Sequence, residues 1–104
     1  STQQIEEMVA EGLLNPREGI FTAKERDILA ILVRCDAAEM DVVKAYLAAA
    51  KMLAEKEVNV TLAALANSEQ KDEKLKHLFD LLLVLKPYLL NMKTFNLYQA
   101  ESAK

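Results

Sequence analysis

Apolar positions in this chain recur at helical spacing from end to end, with no sustained strand-like alternation. Ile5, Met8, Val9 and Leu13 fall three, one and four residues apart, which predicts a short amphipathic helix over TQQIEEMVAEGLL with an acidic outer face. Asn15-Pro16 is expected to stop it, and Gly19 permits the turn that follows. Thr22 and Glu25 then form a T-x-x-E capping box opening a second helix. That helix contains ILAILV at 28–33, a run with no polar member, so it is expected to be surrounded by other elements. Asp36 and Glu39 repeat the capping-box spacing, which predicts a break near Cys35 and a fresh helix start.

The third helix, about Ala37 to Lys56, has one polar stripe of Asp41, Lys44, Lys51 and Glu55. Apolar residues cover both flanks: Met40, Val43, Leu47, Ala50 and Ala54 on one, Val42, Tyr46, Ala49 and Leu53 on the other. So wide an apolar face needs two neighbours. The β-branched VNVT at 58–61 then predicts a connection, followed by a short helix over Leu62 to Ala66. A further helix is expected to start at Asn67 or Ser68, to carry Glu73, His77 and Asp80 outward, and to lose its polar face in LLLVL at Leu81 to Leu85. Pro87 either kinks that helix or opens a separate last one.

These elements predict an all-α fold: a compact bundle of about five helices joined by short turns, forming a single helical domain over residues 1–104. Composition supports the class. Two glycines and two prolines in 104 residues, with 52% apolar residues, suit helices and not turn-dense sheets. The formal charge of -3 provides no general attraction to phosphate backbones or anionic lipid, so neither nucleic acid nor membrane is an expected partner. Residues 1–40 hold eight acids against four basic residues, and residues 41–104 hold eight acids against nine lysines, a modest asymmetry of the kind solvated faces produce. A lone cysteine excludes an internal disulfide and fits a reducing, cytoplasmic setting. No apolar run approaches the roughly 20 residues of a bilayer-spanning helix.

Candidate chemistry is thin. Glu73, His77 and Asp80 share a helix face, but His77 is the only histidine and metal sites take three or four protein ligands, so no metal is expected. Cys35 with His77 resembles a nucleophile and base, without a glycine-rich loop to stabilise an oxyanion. No catalytic or cofactor-binding residue is therefore expected, and the chain is read as non-enzymatic. The stretch from Leu62 to Leu78 has the outline of a helix-turn-helix, which makes a DNA-binding transcription regulator the alternative role, although its second helix begins SEQKDE and carries acids where a major-groove reader needs basic or amide groups.

LLLVL bears most on function. Full burial of five aliphatic side chains stabilises by about 7–15 kcal/mol, comparable with the whole net stability of a small domain. The chain has three segments that each need encircling, more than 104 residues can easily supply. Part of the Leu81 to Tyr98 surface is therefore expected to be covered by a second chain, either a copy of itself in a dimer or another protein. Leu82, Leu85, Tyr88, Leu89, Met92 and Phe95 are the expected protein-interface residues.

Overall fold

The computed structural model describes residues 2–104. Among the described residues the chain is all-helical, with four helices: α1 (Thr2–Ala10), α2 (Ala23–Leu32), α3 (Ala37–Leu65) and α4 (Lys71–Ser102). The only strand-like feature among them is an isolated bridge between Arg17 and Ile20. Two compact units form, the first ending at Ala54 and the second comprising Glu55–Lys104.

In the first unit, helix ends are set by local chemistry. α1 stops earlier than Asn15-Pro16, because Gly12 takes the left-handed conformation with φ of 83°. The Leu13 amide then donates to the Met8 carbonyl at 2.9 Å and the Gly12 amide to the Val9 carbonyl at 3.0 Å. These are the paired bonds of a Schellman motif, and Leu13 packs against the core cluster that contains Met8. The turn at Gly19 has the expected place. Glu18 and Gly19 both have positive φ, 53° and 77°, and Arg17 and Ile20 exchange backbone hydrogen bonds of 2.9 and 3.1 Å across them, a two-residue turn of the I′ kind.

Both capping boxes form. The Glu25 amide donates to Thr22 Oγ1 at 3.1 Å while Glu25 Oε1 accepts the Thr22 amide at 3.0 Å. Asp36 and Glu39 do the same at 2.8 and 3.1 Å, so α2 and α3 are separate helices joined by a turn through Cys35. Glu25 serves twice, since its Oε2 also accepts the Asn15 amide at 2.8 Å. These amide donors, Thr22 first and then Asn15, hold its carboxyl below the usual carboxylate range. The core of this unit is small: Met8, Leu14 and Leu32 are buried, with Val9, Leu13, Phe21, Leu29, Met40 and Val43 packed against them. ILAILV is not encircled, for Ile28, Ile31 and Val33 are exposed and Leu32 alone of the run is buried.

The helix count falls from about five to four at VNVT. α3 runs through 58–61 without interruption. A β-branched residue costs a helix only a few tenths of a kcal/mol, and no glycine or proline is present to convert that small cost into a break. Leu62 to Ala66 is therefore no helix of its own. The next helix begins at Lys71, beyond a turn at 66–70 in which the Ser68 amide donates to the Leu65 carbonyl at 3.0 Å and Ser68 Oγ accepts the Gln70 amide at 3.3 Å. Pro87 lies inside α4, which continues to Ser102.

Candidate protein-binding surface

Within the second unit, the end of α3 and the part of α4 up to Lys86 are antiparallel neighbours. Lys86 Nζ lies 2.9 Å from a Glu57 carboxylate oxygen, deep in both helices, so they remain side by side well beyond the turn that joins them. The pair is partly exposed, Lys86 more than Glu57, and contributes little energy; its value is as a marker of register. Glu57, Thr61 and Leu65 are the less exposed positions on α3 here, and Leu65 is buried. On α4 the half-buried positions are Leu75, Leu78, Leu82, Leu85 and Met92. Their spacing of three, four, three and seven is that of a helix–helix seam, with Leu89 in the remaining slot.

α4 carries a second seam about 110° round the helix from the first, at roughly 100° per residue. His77, Leu81, Val84, Tyr88, Asn91, Phe95 and Tyr98 follow one another at alternating intervals of four and three. All of them are exposed. Leu81 is 47% exposed, Val84 71%, Tyr88 60%, Phe95 61% and Tyr98 71%. A third strip, Lys76, Phe79, Leu83, Lys86, Leu90, Lys93 and Leu97, is also exposed, but lysine occupies three of its seven positions, as on a solvated amphipathic face. The outer seam has no Lys, Arg, Asp or Glu along its length.

LLLVL is thus divided among three directions. Leu82 and Leu85 face the inner seam, Leu81 and Val84 the outer one, and Leu83 the lysine-bearing strip. The six residues expected to form an interface are divided as well: Leu82, Leu85, Leu89 and Met92 belong to the inner seam, and Tyr88 and Phe95 to the outer. Leu81, Val84, Asn91 and Tyr98, absent from that set, complete the outer seam. The signal that finds them is the three-and-four spacing counted outward from Tyr88.

Elsewhere the chain offers little for chemistry. A shallow cavity of about 140 Å³ in the first unit is lined by Gln4, Glu7, Met8, Glu11, Leu32, Cys35, Met40 and Lys44, below the roughly 300 Å³ at which small-molecule sites begin. Cys35 lies in the turn after α2, half-buried, its Sγ donating to the Ile31 carbonyl at 3.7 Å. Glu73, His77 and Asp80 are exposed on α4, and among the described residues no three His, Cys, Asp or Glu side chains come together to hold a metal ion. No helix among them is long and apolar enough to cross a membrane. Comparison of the chain with protein-family models, curated proteins and solved structures finds no match.

Proposed function

We propose that the chain is a non-enzymatic protein-binding module whose docking surface is the outer seam of α4. The observation that carries this reading is the exposure of five large apolar side chains along one uncharged helical stripe. Isolated apolar residues on a surface are ordinary, whereas a contiguous patch of this kind marks an interaction site. Its composition suits that role. Tyr and Phe cover large areas with few rotatable bonds, and interface centres are enriched in aromatics and depleted in charge.

The runner-up, a helix-turn-helix regulator reading DNA with Leu62 to Leu78, has weaker support. Helices of that motif meet at about 90–120°, whereas the 2.9 Å approach of Lys86 to Glu57 marks α3 and α4 as side by side far from their turn. The acids Glu69, Asp72 and Glu73 also sit at the start of the would-be reading helix.

The test is size-exclusion chromatography of the full chain, alone and in native lysate, beside a Val84→Glu/Phe95→Glu variant. The native chain is expected in an assembly larger than one 11.7 kDa chain, and the variant as the free chain with an unchanged far-ultraviolet spectrum. Elution of both as the free chain under both conditions would contradict the reading.

A further inference from the structure

Resting on that reading, we infer that the outer seam of α4 is covered by the outer seam of a second copy of this chain, packed antiparallel across a two-fold axis near Leu89 and Leu90. The order of side chains along the stripe decides the orientation. From N- to C-terminus it runs Leu81, Val84, Tyr88, Asn91, Phe95, Tyr98: aliphatic at one end, aromatic at the other, with the polar-tipped pair in the middle.

Two parallel copies in register would stack like on like. Val84 would face Val84 in a narrow layer and Phe95 would face Phe95 in a wide one, which leaves gaps at one end and crowding at the other. Antiparallel copies do the opposite. Leu81 meets Tyr98 of the second copy, Val84 meets its Phe95 and Tyr88 meets its Asn91, and the two-fold repeats each layer in reverse order. Every aliphatic residue opposes an aromatic one, so layer volumes are even, as well-packed cores require. The polar atoms are matched too, because the Tyr88 hydroxyl and the Asn91 amide of opposite copies share a layer in which each can satisfy the other. A two-fold interface must be complementary to itself; this stripe is so in one orientation only.

The area is sufficient. At about 200 Å² for an aromatic side chain, the exposed parts of Tyr88, Phe95 and Tyr98 amount to roughly 400 Å². Leu81 and Val84 raise this to roughly 550 Å² per copy, so a pair covers about 1,100 Å², just past the roughly 1,000 Å² expected of a specific interface. Antiparallel helices also set the positive end of one backbone dipole beside the negative end of the other.

Disulfide trapping tests the orientation. In the full chain with Cys35→Ser, Val84→Cys and Phe95→Cys are prepared separately and oxidised singly and as an equimolar mixture; Leu81→Cys with Tyr98→Cys provides a second pair one layer out. Val84, Phe95 and Tyr98 are more than 60% exposed and Leu81 is 47% exposed, so each replacement removes few contacts within the chain, and circular dichroism checks that the fold is kept. In the antiparallel pair, position 84 is about 16 Å along the axis from its own counterpart, beyond disulfide reach, but adjacent to position 95 of the other copy. At least tenfold more linked dimer is expected in each mixture than in either variant alone. Self-linking of each variant as efficient as cross-linking overturns the antiparallel copy and leaves the docking surface standing. Absence of linkage, with native mass spectrometry giving only the single chain, overturns the second copy; the docking reading then stands or falls separately, on whether Val84→Glu/Phe95→Glu releases the chain from a lysate complex.

Discussion

Truncation of Phe95 and of Leu82 to alanine should have opposite consequences, though the two lie on one helix less than four turns apart. Phe95 is 61% exposed, so at about 200 Å² for the whole side chain roughly 120 Å² awaits cover. At 25 cal/mol per Å² that is about 3 kcal/mol for each copy. Association costs reduce what is realised, and about 2 kcal/mol per copy is a conservative figure. Because a two-fold pair contains the residue twice, Phe95→Ala should weaken dimerisation by about 4 kcal/mol, roughly a thousandfold. The same change removes few contacts inside one chain, so unfolding of the monomer should shift by less than about 1 kcal/mol. Leu82 is half-buried on the inner seam. Leu82→Ala should cost about 1.5–3 kcal/mol of monomer stability and leave the dimer constant, corrected for unfolded chain, within about threefold. Sedimentation gives the association constants, and urea unfolding at a concentration where both variants are monomeric gives the stabilities. A Phe95→Ala protein that dimerises within tenfold of native, or loses as much monomer stability as Leu82→Ala, would refute the assignment of the two seams.

Gly12→Ala places a Cβ in the left-handed region at φ of 83°, with the Lys51 side chain no nearer than 3.9 Å, so backbone strain alone should destabilise the first unit by about 1 kcal/mol; an unchanged urea midpoint would contradict the Schellman cap. Because Glu25's folded carboxyl titrates below its unfolded one, its contribution is present at neutral pH and is lost as pH falls through the folded value. Native protein should therefore lose more stability between pH 7 and pH 3 than Glu25→Gln, and equal losses would show the double cap to be idle. Pro87 deprives the Leu83 carbonyl of its helical donor, so Pro87→Ala should stabilise α4 by as much as about 3 kcal/mol, read as a higher unfolding midpoint; a lower one would mean that the helix needs the proline.

The features legible in the sequence are those decided within four residues. Thr22 with Glu25 and Asp36 with Glu39 specify their capping boxes by spacing alone, and both form. The end of α1 was less legible because two stop signals compete within five residues: Asn15-Pro16 forbids continuation, but Gly12 offers an earlier exit by adopting a conformation other residues resist. VNVT shows the limit of propensity, since Val58, Asn59, Val60 and Thr61 each disfavour helix only slightly, and a long helix with no breaker absorbs their sum. Pro87 was ambiguous for a related reason. A proline removes one hydrogen bond, and whether a helix survives depends on the turns at either side.

The candidate surface was half legible. Consecutive apolar residues such as LLLVL reveal that a helix is oily on all sides, but not which side an intramolecular neighbour takes. The half-burial of Leu75, Leu78, Leu82 and Leu85 is what places Leu82 and Leu85 on the inner seam. Tyr88 and Phe95 then fall on the outer seam, and their partners Leu81, Val84, Asn91 and Tyr98 follow by spacing.

The central claim, that a second chain covers the outer seam of α4, is tested most directly by sedimentation equilibrium of the unmodified protein from low to high micromolar concentration. The expected result is a mass rising to twice 11.7 kDa and returning to the single-chain value in Val84→Glu/Phe95→Glu. A mass of one chain throughout the range would contradict it.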